Sequence, residues 1–365
     1  MNSFTYFMPT KIFFGKDCIT KNKEIFSSFG SKALILTGRS SAKKNGSQSD
    51  VINALSAEKI NYIIFDEVEE NPSIETALKV AEIGKKEKID FVIGIGGGSP
   101  MDCAKAVACL IANPEKGREI LTVTEQLKHI PVIEVPTTAG TGSETTPYSI
   151  VTDHEKRTKY SINQKIFAEV SFLDAKYMET LSPKVTNNTA VDALSHLIEG
   201  YMAKKSNFFS DKLAEIGMDI FKQCIPALKE KVYSFEVREK LMLASTIAGI
   251  VIAQAGTSLP HAMGYYLTYE KKVPHGRANG ILTKAYLELF PEQTKVNCIL
   301  ERLGFQSLEE LDNFLKEVLD TDETFTKEDI SYYTKEVLKN KTKLSSYPYE
   351  LTEQDIYSIY EKSVL

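Results

Sequence analysis

DFVIGIGGGSPMDCAK, residues 90–105, is the stretch that decides the expected fold. Residues 90–95 are nearly all apolar, which is typical of a parallel strand that is buried on both faces. Glycines fill residues 96–98, where the absence of a Cβ lets backbone amides approach a diphosphate closely. Ser99 can cap the following helix, with Pro100 at its first position. The stretch predicts a strand, a glycine turn and a helix, and such a turn also suits a purely steric role.

Strand-like and helical runs alternate on both sides of this stretch. Alternation of this kind indicates a parallel, doubly wound sheet. We expect strands at residues 32–37, 61–65, 90–95, 131–135 and 169–173, helices at 50–59, 72–88 and 101–111, and a hairpin from 148–153 and 159–161. The pattern changes near Pro183, where helical periodicity takes over. We expect later helices at residues 186–204, 208–229, 236–255 and 276–290 and in the tail, 307–365.

The predicted fold class is therefore α/β plus all-α, with an α/β domain over residues 1–182 and an all-helical domain over residues 183–365. Composition agrees with this, since 365 residues suffice for two cores, and 42% hydrophobic and 25% charged residues are ordinary for a globular protein. A net charge of −5 argues against nucleic acid or an anionic membrane as a partner. No CxxC pair, signal pattern or run long enough to span a bilayer occurs in the sequence, so we expect a cytoplasmic protein.

A second polar loop, PTTAGTGSETT at residues 136–146, follows the strand expected at residues 131–135. Its hydroxyls and glycines suit ligand binding, and they suit the capped start of a helix equally well. In open α/β sheets, however, ligands bind at the carboxyl ends of the strands. Two such loops after neighbouring strands therefore favour a ligand site at that edge.

The helical half contains a candidate metal site. Asp192 and His196 lie four residues apart in AVDALSHLIEGY, which places both side chains on one face of a helix. His261 follows a proline at an expected helix start, and His275 lies in a Pro-His-Gly loop. One carboxylate and three imidazoles are suited to a single divalent metal. Taken singly, each residue is more typical of a local hydrogen bond or of a core or surface histidine, and it is the set that favours a metal site.

GGGSPMD, PTTAGTGSE, VDALSHLIEGY, LPHAMG and PHG occur in this order. In this combination the chain resembles the iron-containing (group III) alcohol dehydrogenases, most clearly over residues 1–290. The resemblance implies a Rossmann-like, doubly wound N-terminal domain and a helical C-terminal domain, the architecture shared with dehydroquinate synthase. It also implies a metal in the cleft between these domains, commonly iron and sometimes zinc, with the ligands Asp192, His196, His261 and His275.

The resemblance assigns cofactor contacts as well. By this resemblance Gly97, Gly98 and Ser99 hold the diphosphate, Asp102 orients that turn, Thr137, Thr138, Thr141 and Thr146 approach the nicotinamide half, and Lys159, Asn71 and Leu181 lie on the cofactor side. Members that prefer NAD carry an aspartate after the first strand, where this chain has LTGRSSAKKNG. Gly38 removes that carboxylate, while Arg39 and Ser40 bring donors suited to a phosphate. We therefore predict NADP(H) over NAD(H), against the alternative of a solvated basic turn.

A further departure from the family follows His261. Many relatives place another histidine four residues on, where it is thought to relay a proton, and this chain has Tyr265. We expect Tyr265 to lie in the substrate cleft, with a relay through this tyrosine, through ribose hydroxyls and water, or by another route.

The sequence thus predicts a metal-dependent alcohol dehydrogenase or aldehyde reductase that uses NADP(H) and Fe(II), with Zn(II) as an alternative metal. The expected substrate is a small alcohol, diol or aldehyde, and the expected assembly is a homodimer. Glycerol dehydrogenase-like or dehydroquinate synthase-like chemistry on the same fold is an alternative, as is a non-catalytic protein that binds metal and nucleotide.

Overall fold

The computed structural model describes residues 3–155, 158–320 and 324–365. It divides into two compact units. The nucleotide-side unit, as we call it, consists of Met8–Thr138 and Gly142–Leu181. The helical unit consists of Ala139–Thr141 and Ser182–Leu365, together with the N-terminal residues up to Phe7. Ala139–Thr141 thus belongs to the helical unit, although it lies inside the stretch predicted as the α/β domain.

A six-stranded parallel sheet forms the centre of the nucleotide-side unit, in the order β1-β8-β5-β4-β2-β3. Strands β6 and β7 form a separate antiparallel hairpin. The strands are β1 (Lys11–Phe14), β2 (Lys32–Thr37), β3 (Asn61–Phe65), β4 (Phe91–Gly96), β5 (Val132–Pro136), β6 (Ile150–Asp153), β7 (Thr158–Ser161) and β8 (Val170–Leu173). The predicted parallel sheet is confirmed, and β1 is an additional edge strand that the sequence analysis did not find.

Successive residues of each central strand enter different cores. Leu34 and Leu36 of β2 pack in one hydrophobic cluster, whereas Ala33 and Ile35 pack in the other. Because strand side chains alternate between faces, both faces of this sheet are covered. This explains why the strand sequences are almost continuously apolar, and it confirms the doubly wound arrangement.

Seventeen α-helices occur among the described residues. They are α1 (Cys18–Lys21), α2 (Ser41–Lys44), α3 (Ser47–Ala57), α4 (Ile74–Lys86), α5 (Gly98–Ala112), α6 (Pro183–Met202), α7 (Phe208–Lys222), α8 (Ile225–Glu230), α9 (Phe235–Ala255), α10 (Leu259–Lys271), α11 (His275–Gly280), α12 (Thr283–Glu288), α13 (Thr294–Leu303), α14 (Leu308–Leu319), α15 (Lys327–Leu338), α16 (Lys341–Leu344) and α17 (Glu353–Val364). In the described part of the chain, no helix alone is long and apolar enough to cross a membrane, and only α9 and α10 taken together, bent by 112°, meet that test.

Two expected helices are each divided in the structure. The helix predicted over residues 208–229 is wrong as one element, because α7 ends before Gln223 and α8 begins at Ile225. The break lies at Cys224, whose N–H donates to Phe221 O, and Pro226 then supplies no N–H for a continuing helix. The helix predicted over residues 276–290 is likewise two helices, α11 and α12.

Candidate functional site

Three of the four candidate metal ligands converge inside the helical unit. Asp192 on α6, His261 on α10 and His275 at the start of α11 each offer a ligand atom, and these atoms all lie within 4.8 Å of one another. Asp192 Oδ1 is 3.7 Å from His261 Nε2 and 3.9 Å from His275 Nε2. Asp192 and His261 are buried, and His275 is partly exposed. The arrangement brings together residues that are up to 83 positions apart in the chain by their numbering.

His196 lies beside this group without joining it. Its ring stacks on the ring of His261, with 4.4 Å between centroids and 23° between planes. Its Nδ1 is 3.3 Å from the carbonyl oxygen of Gly140, a member of the short segment that belongs to the helical unit. This contact holds the imidazole through Nδ1, so that Nδ1 is occupied by a backbone carbonyl and Nε2 is the nitrogen left for a metal. His196 is therefore adjacent to the converging atoms, one helical turn from Asp192.

The local electrostatics favour the protonation states that bind a cation. Burial raises the pKa of Asp192, but the imidazoles of His196, His275 and His261 outweigh it and bring the pKa below its usual value. Burial lowers the pKa of His261 well below its usual value. An ionised carboxylate and a neutral imidazole are the forms in which these side chains coordinate metals. The donor set and its convergence therefore fit a divalent ion.

Glu199 is a functional candidate that the sequence analysis missed. Its Oε1 lies 2.5 Å from Nδ1 of His261, and its Oε2 accepts hydrogen bonds from the N–H of Ser258 at 2.6 Å and of His261 at 3.4 Å. Burial raises the pKa of this carboxyl to about 7. Histidines that bind metals usually donate their second ring N–H to such a group, which fixes the tautomer. The signal was present, because Glu199 lies seven residues after Asp192 on the same face of α6.

Asn279 was also missed, and it lies at the focus of the group. Its Nδ2 is 3.0 Å from Asp192 Oδ1, 3.1 Å from His261 Nε2 and 3.3 Å from His275 Nε2. The glycine of the Pro-His-Gly loop permits the close approach of α11 to α6, since a Cβ at Gly276 would lie 1.9 Å from the carbonyl oxygen of Asn188. The Pro-His-Gly loop therefore supplies a ligand and a close contact, and Asn279, four residues after His275, supplies an amide that contacts all three candidate ligands.

Tyr265 lies one turn after His261 on α10, next to the same group. Its ring stacks on the ring of His275, with 5.6 Å between centroids and 24° between planes. The tyrosine is half-buried. Its position beside a candidate ligand is compatible with the expected place near a substrate.

Within the nucleotide-side unit, two loops follow neighbouring strands at the carboxyl edge of the sheet. The glycine turn, residues 96–99, follows β4, and the threonine loop, residues 136–146, follows β5; Ala139–Thr141 of this loop belongs to the helical unit. The N–H of Thr137 donates to Gly96 O at 2.8 Å, so the two loops begin in contact. Thr138 is half-buried, and Thr146 is buried further along the threonine loop.

Asn71 joins two other predicted cofactor residues. Its N–H donates to Ser99 Oγ at 3.0 Å, and its Oδ1 accepts a hydrogen bond from Lys159 Nζ at 2.7 Å. It holds a left-handed backbone conformation, with φ at 57°, which asparagine tolerates better than most residues. Leu181 is the last residue of the nucleotide-side unit and is partly buried.

Asp102 faces the threonine loop in the structure. Its Oδ1 accepts a hydrogen bond from Ser143 Oγ at 2.6 Å, and its Oδ2 accepts one from the N–H of Ile150 at 3.0 Å. The carboxylate thus connects the first turn of α5 with residues 41 and 48 positions further along the chain. Its contacts orient that second loop.

The turn after β2 carries the predicted phosphate donors. Arg39 and Ser40 are exposed, and a Cβ at Gly38 would meet only Val68 O, at 3.6 Å. Lys43 of α2 pairs with Asp66, which follows β3. The pairing lowers the pKa of Asp66, and the charge of Arg39 adds to this effect. An acidic side chain that follows β3 therefore pairs with a lysine next to this basic turn, which the sequence analysis did not take into account.

The comparisons with known proteins identify the family. The profile described as iron-containing alcohol dehydrogenase matches residues 9–175, and the profile for the C-terminal part of that family matches residues 186–364. The chain is 30% identical over 324 residues to an NADPH-dependent butanol dehydrogenase of Clostridium saccharobutylicum, covering 85% of this chain and 82% of the relative.

Solved structures agree over the full chain. An iron-containing alcohol dehydrogenase from Thermotoga maritima is similar with 39% identity and a TM-score of 0.92, covering 99% of both chains. A 1,3-propanediol oxidoreductase is similar with 26% identity and a TM-score of 0.89, covering 99% of this chain and 100% of the other. The architecture and these matches define an alcohol dehydrogenase. The chain belongs to the iron-containing alcohol dehydrogenase family.

Proposed function

We propose that this oxidoreductase reduces small aldehydes, and oxidises the corresponding alcohols or diols, with NADP(H) and one divalent metal held by Asp192, His196, His261 and His275. The single observation that carries the proposal is the convergence of Asp192 Oδ1, His261 Nε2 and His275 Nε2 within the helical unit. His196 is included because its ring stacks directly on that of His261.

The chain's own residues support each part of the chemistry. When bound, the metal would polarise the substrate oxygen and the nicotinamide would carry the hydride. The lowered pKa values of Asp192 and His261 favour the ionised carboxylate and the neutral imidazole, and Glu199 contacts Nδ1 of His261 and leaves Nε2 directed at Asp192 and His275. Tyr265 is the proposed proton donor or relay, because it lies on His275 and no histidine is available at this position. Fe(II) is the metal we propose from the family, with Zn(II) as the alternative for the same donors.

Several features support NADP(H) as the cofactor. Arg39 and Ser40 are exposed at the turn after β2. Gly38, in the same turn, has no carboxylate that would repel a 2′-phosphate. The NADPH-dependent butanol dehydrogenase is a relative over most of the chain. We assign Gly97, Gly98 and Ser99 to the diphosphate, since they open α5, whose N-terminus favours anionic oxygens. The remaining proposed cofactor contacts are Asn71, Asp102, Thr137, Thr138, Thr141, Thr146, Lys159 and Leu181.

The assembly and compartment are part of the same proposal. We propose a homodimer, supported by an exposed aromatic patch in the helical unit made of Phe4, Tyr6, Phe7, Phe208 and Phe209. Exposed apolar patches of this kind commonly mark protein interfaces. A cytoplasmic location is supported by cysteines that are all free, as expected in a reducing compartment.

The test measures the rate of NADPH oxidation, as the loss of NADPH absorbance, with butanal or propanal as the substrate. The protein is first stripped with a chelator and then given Fe(II), Zn(II) or no metal. We expect turnover only with metal, a preference for NADPH over NADH, and no turnover in an Asp192→Ala/His275→Ala double variant. Binding of metal and dinucleotide without turnover on any short aldehyde, diol or glycerol would contradict the proposal and favour a non-catalytic role.

A further inference from the structure

Lys105, on α5, is a fully buried lysine of the nucleotide-side unit, with 0% relative exposure. A buried ammonium ion is costly unless it is paired and hydrogen-bonded. Its Nζ donates to Ser143 O at 2.7 Å, Ser143 Oγ at 2.9 Å, Thr146 O at 2.9 Å and Tyr148 O at 3.1 Å. These acceptors belong to the end of the threonine loop and the residues just after it. Lys105 therefore holds this part of the backbone to α5.

A carboxyl group of the sheet lies beside the ammonium group of Lys105. Glu134 Oε1, on β5, lies 3.5 Å from Nζ, and both side chains are fully buried. Asp102, one turn earlier on α5, accepts a hydrogen bond from the same Ser143 hydroxyl at 2.6 Å. Ser149 Oγ adds a bond to Asp102 O at 2.6 Å. Thus α5, β5 and the threonine loop are connected by one buried polar network.

The network connects the two loops that are proposed to bind the dinucleotide. α5 begins directly at the glycine turn, and β5 ends directly at the threonine loop. The loops also touch, because a Cβ at Gly97 would lie 3.3 Å from Thr138 Oγ1. The separation of the two loops is therefore set by close packing at one end and by Lys105 at the other.

We propose that Lys105 is a positioning residue for the dinucleotide, which fixes the threonine loop relative to the glycine turn without touching the cofactor. The inference rests on the proposed assignment of both loops to dinucleotide binding. A ligand that contacts two loops binds more tightly when they are already ordered, because it does not have to order them itself. Loss of the ammonium group would release the loop carbonyls and would weaken binding of the cofactor before it affected the chemistry.

The experiment measures NADPH affinity of the full-length protein by fluorescence titration in the absence of aldehyde. Lys105→Met keeps the length of the side chain and removes its charge and donors. We expect its Kd for NADPH to rise about tenfold or more, with kcat at saturating NADPH changed far less than KM. Val107→Ala, on the same helix but in the hydrophobic core, is the control for lost stability, and its Kd should stay within about twofold of the wild type.

Ser143→Ala is a second variant, which does not change the charge of the buried network. It tests the proposed positioning role if Lys105→Met does not fold. It removes the hydroxyl that both Lys105 and Asp102 bind, so its Kd for NADPH should also rise by several-fold. A folded Lys105→Met or Ser143→Ala protein with the wild-type Kd would overturn the inference, as would an equal rise in Val107→Ala. If the wild-type protein itself bound neither NADPH nor NADH, the proposed function would fail and the inference with it.

Discussion

Oε1 of Glu199 lies 2.5 Å from Nδ1 of His261, so that Nε2 of the same ring faces Asp192 and His275. Both partners are buried, and the backbone N–H groups of Ser258 and His261 hold the carboxylate in place. A carboxylate in this position raises the basicity of a metal-binding imidazole and prevents its rotation. The proposed metal site thus depends on a residue that is not one of its ligands.

Replacing Glu199 by Leu should therefore weaken metal binding by ~10- to 100-fold, because His261 would lose both its orientation and its negative partner. Glu199→Gln should have a smaller effect, since a carbonyl oxygen still accepts from Nδ1. The measurement is the Kd for Zn(II) by competition with a chromophoric chelator. Glu236→Gln, at an exposed carboxylate of α9, is the control. Equal metal affinity in Glu199→Leu and the wild type would exclude this role.

Near the basic turn after β2, substitutions at two residues should change the preference for NADPH over NADH in opposite directions. Arg39→Asp should lower the ratio of kcat/KM for NADPH to that for NADH by ~10-fold or more, since it replaces a donor by a charge that repels the 2′-phosphate. Asp66→Asn should raise the ratio, because Asp66 pairs with Lys43 and adds negative charge to the same turn. Glu67→Gln, at the adjacent exposed carboxylate, is the matched control. The ratio is measured for all variants at one ionic strength, and an unchanged ratio in Arg39→Asp would disprove the phosphate assignment.

Tyr265 provides a test of the proton path. If its hydroxyl donates or relays the proton, Tyr265→Phe should lower kcat by ~10-fold or more and alter the pH profile of kcat, while the Kd for Zn(II) stays unchanged. Tyr266→Phe is the control, because Tyr266 is the next residue on α10 and stacks instead on Tyr333. Wild-type kcat and pH profile in Tyr265→Phe would show that the proton leaves by another route.

The sequence predicted the parts of this protein that depend on local pattern. The period of α6 placed Asp192 and His196 on one face, and the apolar runs located the central strands of the sheet. Strand β1 was missed because it is short and its burial does not alternate in the way that the pattern requires. The hydrogen-bond acceptors of Lys105 lie 38 to 43 residues away, so no local pattern contains them. The membership of Ala139–Thr141 in the helical unit likewise depends on contacts with distant residues, such as that of Gly140 with His196.

Glu134, fully buried on β5, gives a stability prediction with a definite sign. Burial raises the pKa of its carboxyl to about 8, and the nearby charge of Lys105 opposes this only in part. The folded protein therefore keeps this proton at pH values where the unfolded chain has lost it. Because the folded state then binds more protons, the contribution of Glu134 to the free energy of unfolding falls as pH rises from the usual glutamate range to about 8.

Glu134→Gln removes this ionisation and keeps the shape of the side chain. Its free energy of unfolding relative to the wild type should therefore increase from about pH 6 to about pH 9, by roughly 1 kcal/mol or more, since each pKa unit corresponds to ~1.4 kcal/mol. Urea unfolding at both pH values is the measurement, and Glu179→Gln, at an exposed carboxylate, is the control. Parallel pH dependence in Glu134→Gln and the wild type would mean that Lys105 keeps Glu134 ionised throughout, and that the buried network contains a true ion pair.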